Sequence, residues 1–358
     1  MQGNKYKSKV DPLARIAPSR SGALGMLDIL LQIMGERERF DEYASLTSAG
    51  IKTYVHDWEV NLPDADGEQR YYTLRSGYFS NYGVFESLGY ASGWDIKEFN
   101  FLKLSDVVQL LAYELVQGRA LLSMMEVDGA LEPVALVGVD AGATWLKVMM
   151  QRIGSDTAEE RDLWGQESLQ GEDEDFVNWC VVARPGERAD WAASIGKLRH
   201  DLITWACTHA RSRKEFFHET RANYAPGLHG QRRFVELLEL LMDEDFLLAQ
   251  REKGIARYVS AYVNQYIEGR AAFERCLPLW AAELGENEDE PWGDREAVSE
   301  LLLAASAHYS DATREMREFA RHDFSEGVIS IDAIEKVRAA VDHEERAIEK
   351  LESGLRID

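Results

Sequence analysis

Residues 19–35 read SRSGALGMLDILLQIMG. A polar run precedes the segment, Gly35 closes it, and nine of the twelve residues from Ala23 to Met34 are apolar. That composition predicts a helix with no solvated face, and such a helix has to be buried on all sides. Ser21 stands where a side chain would cap it by accepting a backbone hydrogen bond. Asp28 is the anomaly. A carboxylate in an apolar helix needs a basic partner, or it points into a pocket.

Outward from this helix the sequence is mixed as far as Pro185-Gly186. KTYVHDWEVNL (52–62) and RYYTLRSGYF (70–79) are rich in aromatic and β-branched residues with alternating polarity, which predicts strands. LSDVVQLLAYELVQG (104–118) has a serine near its start, apolar residues at helical spacing and a closing glycine, so a helix is expected. ALLSMMEV, PVALVGVD, TWLKVMMQ and FVNWCVVA then read as four successive strands. The acidic stretch GSDTAEERDLWGQESLQGEDEDF (154–176) reads as a solvated loop with a short helix. After Pro185 the periodicity turns helical and stays so, with one acidic break at GENEDEPWGD. The expected organisation is a tail over 1–19, an α+β domain over 20–185 and an all-α helical domain over 187–358.

The chain has 358 residues, 45% hydrophobic and 29% charged, with a formal net charge of −23. An excess of acid repels phosphate backbones and anionic lipid, so neither nucleic acid nor membrane is expected as a partner. No apolar run reaches the roughly 20 residues that span a bilayer, and the basic start of the chain does not lead into a signal-peptide pattern. A cytoplasmic protein is expected. Cys180, Cys207 and Cys276 are odd in number and far apart, which suggests reduced, buried thiols rather than disulfides or a zinc motif.

A buried helix followed by an antiparallel sheet resembles the papain-like fold. There the helix carries a cysteine at its N-terminus, where the helix dipole favours the thiolate. The run helix–Gly–Arg–strand–loop–PVALVGVD resembles the way such domains write the strand that carries their histidine. The whole chain is similar in organisation to the butirosin-biosynthesis H family, in which a cysteine-peptidase-like domain precedes a helical one. The resemblance implies acyl transfer from a carrier protein to an amine. It places the nucleophile near Ser21 or Gly22 and the histidine near Glu132 or Pro133. Neither position carries thiol or imidazole, and no cysteine precedes Cys180. A Cys–His pair at the family positions is therefore ruled out. Cleft candidates that remain are Ser21, with His56-Asp57 as a base in the same half of the chain, and Asp28 and Glu132.

Elsewhere, His200, Cys207 and His209 cluster in sequence, and Asp342, Glu345 and Glu349 share a helix face. Packing and solvation account for both, so no metal and no cofactor are expected. Between Lys197 and Arg233 eight Lys/Arg meet only three acids. Arg211, Arg213, Lys214, Arg232 and Arg233 are the candidate contacts for an anion or an acidic carrier protein. The competing reading is internal pairing with the acidic loop 155–175. Three functions stand open. One is a degenerate, non-thiol or non-catalytic component of a biosynthetic pathway handling acyl or peptidyl intermediates, with a carrier protein or pathway enzyme as partner. Another is an acyl- or peptidyl-transferase that positions a thioester beside an amine. The third is a structural protein that assembles through its helical domain, self-association included.

Overall fold

A computed structural model describes residues 6–15, 22–46, 54–56, 62–63, 69–70, 76–77, 85, 88–89, 92–100, 104–127, 130–142, 146–164, 179–186, 191–212, 215–217, 222–244, 255–284, 292–322 and 329–356. In chain order the first elements are β1 (Tyr6–Lys9), α1 (Gly22–Met34), α2 (Phe40–Leu46), β2 (Tyr54–His56), β3 (Leu62–Pro63), β4 (Gln69–Arg70) and β5 (Ser76–Gly77). There follow β6 (Asp95–Asn100), α3 (Leu104–Val116), β7 (Leu121–Val127), β8 (Ala130–Ala141), β9 (Leu146–Arg152), β10 (Glu159–Trp164) and β11 (Trp179–Arg184). The last are α4 (Trp191–Arg211), β12 (Glu215–Phe217), β13 (Ala222–Pro226), α5 (Gly227–Leu240), α6 (Ile255–Glu283), α7 (Arg295–Phe319) and α8 (Ile331–Gly354). The fold is thus mixed α and β, with an antiparallel sheet early and long helices at the C-terminal end. By contacts the chain divides into two compact units. One is Met1–Phe40 with Phe85–Ala189, the other Asp41–Val84 with Asp190–Asp358.

The first unit is built on a seven-stranded antiparallel sheet of order β10-β9-β8-β7-β11-β6, with β1 on β8. The twelve-residue β8 is the spine. Along one edge it pairs first with β7 (Val127↔Ala130 to Leu121↔Leu136) and then with β1 (Lys9↔Gly138 to Tyr6↔Ala141). Residues 6–9, expected in a tail, therefore complete the sheet. The β8–β9 register slips between Leu136 and Gly138. The backbone there comes close to its neighbour: a Cβ on Gly138 would stand 3.0 Å from the Met149 side chain, which would have to give by a few tenths of an ångström.

Alternation along the strands sorts two buried faces. Leu121, Met125, Val134, Leu136, Val148, Cys180 and Val182 form one core with Val107, Val108, Leu111 and Leu115 of α3. The alternate residues Leu122, Ala135, Val137, Val181 and Ala183 are equally buried, and α1 packs against β7, β8 and β11. As its composition predicts, α1 is buried from Leu24 to Leu31 without interruption. It ends in a Schellman motif: Gly35 takes φ +73°, its N–H donates to Gln32 O, and Glu36 N–H donates to Leu31 O.

The stretch expected as a solvated loop supplies β10 instead. Its charged residues mark an edge strand, and cross-strand pairs from Lys147 to Glu160 and Asp162 hold it on β9. The remainder of that stretch, from 165 to 176, lies outside the described residues.

In the second unit α8 lies along α7, α7 along α6, and α4 and α5 both pack on α8. Aromatic contacts fill the core, among them Phe234–Tyr262 and Phe273–Tyr309 at ring separations of 4.3 and 5.2 Å. The unit is not all helical, as the sequence had suggested. It also holds a four-stranded sheet of order β12-β13-β2-β5, in which Tyr224, Ala225 and Pro226 pair with His56, Val55 and Tyr54. Periodicity could not reveal this pairing, because its strands are three to five residues long and lie far apart in the chain.

The side chains of Asp294 and Ser330 cap α7 and α8, accepting from Ala297 N and Ala333 N at 3.2 Å. Replacing either with alanine should lower stability by about 1 kcal/mol, read as a shift in urea midpoint with unchanged slope.

Candidate functional site

The tip of α1 and the start of β8 are where the sequence looked for chemistry. Ser21 lies outside the described residues, and α1 begins at Gly22. Asp28 is fully buried on α1 and takes the Arg37 guanidinium at 3.2 Å. Its neighbour Glu36, also buried, accepts from Trp94 Nε1 at 3.0 Å and pairs with Arg39 at 3.2 Å. These acids and cations brace the turn after α1, so the anomaly in the helix is structural. Glu132, early in β8, is 37% exposed and stands 3.7 Å from Arg152. His56 lies on β2 and belongs to the second unit. The chain therefore does not collect Ser21, Asp28, His56 and Glu132 in one unit.

The three thiols are all buried. Burial pushes each of them up to about 12, with Glu352 adding to the effect at Cys207. Cys180 faces the α3 core, and Cys207 and Cys276 lie inside α4 and α6. A thiolate nucleophile needs an electropositive, partly open setting. None of the three has one.

Of the basic segment, Arg213 and Lys214 lie outside the described residues. Arg211, at the end of α4, donates to Glu352 at 3.0 and 3.2 Å and to Glu345 at 3.1 Å. Arg232 on α5 reaches the other oxygen of Glu345 at 2.8 Å. The hydrogen bond that Arg211 donates to Glu352 raises its pKa, so its charge is fixed. Together with Ala210, Ser212, Leu228 and His229, these two arginines line a small open pocket. Gly227, at φ +50°, starts α5 there, and a Cβ on it would fall 2.6 Å from His209 O and Ala210 Cα. Two arginines facing two glutamates leave the pocket nearly neutral. Arg233 turns outward and pairs with Glu236 at 2.5 Å. Among the described residues, Arg211, Arg232 and Arg233 are thus matched by acids of α8 and α5, while 165–175 of the loop 155–175 lies outside the described residues.

The first histidine group does not converge either. The His200 ring meets Trp292 edge-on at 4.8 Å, His209 stacks on Trp205 at 4.9 Å, and Cys207 is buried. One convergence the sequence reading missed involves His308 and Asp311 on α7 and His343 on α8. Their ligating atoms all lie within 4.8 Å of one another. The only signal was the spacing H-x-x-D in α7. His343 stood inside the segment DHEERAIE, read earlier for its carboxylates alone.

No family model and no curated protein matches the chain. Among the described residues, no helix is long and apolar enough to cross a membrane.

Proposed function

We propose that the first unit is a papain-like domain of the butirosin-H type that works without a thiol. In this reading the chain is a non-thiol or non-catalytic component of a biosynthetic pathway handling acyl or peptidyl intermediates, with a carrier protein or pathway enzyme as partner. The single observation that carries the non-thiol part is the state of the three cysteines, each buried and pushed up to about 12. The papain-like part is supported by the order of the elements and by α1, buried from Leu24 to Leu31 and packed on β7, β8 and β11. Where that fold needs a nucleophile and an imidazole, the sequence supplies Ser21 or Gly22 and Glu132 or Pro133.

The test is to incubate the protein with an acyl-pantetheine thioester and a primary amine. Intact-protein and small-molecule mass spectrometry then follow the result. No acyl adduct on cysteine is expected, and any amide formed should persist when Cys180, Cys207 and Cys276 are all replaced by alanine. An acyl-cysteine intermediate, or an activity that disappears with one cysteine in a folded variant, would overturn the reading.

A further inference from the structure

We infer that His308, Asp311 and His343 form a binding site for one first-row divalent transition-metal cation. His308 and Asp311 are three residues apart on α7 and so share a face, and His343 comes from the helix packed against that face. The imidazole rings lie 6.1 Å apart at 37°, and His343 Nδ1 is 3.7 Å from Asp311 Oδ2.

Two features prepare the group for a cation. Arg314 binds Asp311 Oδ1 at 2.7 Å, which fixes the carboxylate and leaves Oδ2 toward the histidines. Nδ1 of His308 and Nδ1 of His343 are both shut off from water without a hydrogen-bond partner. Shielded polar atoms of this kind call for an explanation, and a bound ion is one.

Two imidazoles and one carboxylate suit zinc, nickel, cobalt or copper rather than magnesium or calcium. Tetrahedral zinc at its usual bond lengths sets ligand atoms roughly 3.4 Å apart. Binding would need side-chain rotation to close the present spacing, at most 4.8 Å, to that value. Three protein ligands leave one position for water. Arg314, Arg346 and Lys350 lie around the group, and their charge should hold affinity below that of a thiolate site.

The experiment uses the full chain, stripped with a chelator and titrated with Zn2+ by calorimetry and with Co2+ by visible absorption. One Zn2+ per chain is expected, with a matching Co2+ spectrum that Zn2+ abolishes and excess Mg2+ does not. His308→Ala and His343→Ala should each weaken binding by about tenfold or more, on the scale of perturbed metal sites. The near-isosteric Asp311→Asn should weaken it too, and it guards against a packing defect. His322, an exposed histidine beyond the end of α7, serves as control, and His322→Ala should bind as the parent does. With eight histidines in the chain, weak binding alone proves nothing. No saturable binding, or binding unchanged in a folded His308→Ala/His343→Ala variant, would overturn the assignment.

Discussion

Glu344→Ala should destabilise the helical unit by about 3–5 kcal/mol, the cost of leaving one partner of a buried ion pair uncompensated. Glu344 on α8 accepts from Arg270 on α6 at 2.6 and 3.1 Å, and both side chains are almost wholly buried. Tyr262, Tyr266 and Tyr309 surround them. The Arg270 guanidinium lies 4.9 Å from the centre of the Tyr266 ring. Burial works against the arginine's charge, but Glu344 outweighs it and holds Arg270 above its ordinary pKa. Burial also holds all three tyrosines well above theirs, so they stay neutral beside the charged arginine. With total stabilities of about 5–15 kcal/mol in ordinary domains, this substitution should move the urea midpoint of the helical signal a long way. Arg270→Met with Glu344→Leu removes both charges and should recover most of the loss. A mild single variant, or a double variant worse than either single, would show that water reaches the pair.

The second large effect is kinetic. In the native protein at pH 8, all three cysteines should react with an aromatic disulfide such as DTNB far more slowly than free cysteine does. A thiol near 12 has about a thousandth of the thiolate of an ordinary one at that pH. The more basic thiolate is the better nucleophile, which returns a factor of about 30. A suppression of about 30-fold remains, and burial multiplies it by closing the approach. In urea the three should react together at the free rate. One cysteine that reacts at the free rate while the protein is folded would remove the basis for thiol-free chemistry.

The parts of the fold legible in sequence were those whose signal is local. The all-round apolar run of α1, the glycine ends of α1 and α3, and the strands β7, β8, β9 and β11 announce themselves through composition and spacing. Edge strand β10 did not, because Glu159, Glu160, Arg161 and Asp162 put charge on both faces and erase the alternation. The sheet that joins β2 to β13 was invisible for another reason, since its order depends on residues far along the chain. The same distinction governs the candidate sites. Three buried thiols could be anticipated from their apolar neighbours. The meeting of His308, Asp311 and His343 depends on the register between two helices, which neither helix alone encodes. Asp28 was noticed as odd, but its partner Arg37 waits beyond the glycine that turns the chain.

The division of the chain into interleaved units has a consequence for its birth on the ribosome. The polypeptide passes from the first unit to the second after Phe40, returns at Phe85, and leaves again after Ala189. Strand β2 therefore emerges long before β13. Val55 must wait about 170 residues for Ala225, which is roughly 10–35 s at ordinary rates of synthesis. Translation of the first unit's sheet is completed during that interval, while β2 can already meet β5 but not yet β13. A fragment ended at Gly186 would hold this strand permanently in that unfinished state. Neither unit can be excised as one uninterrupted length of chain.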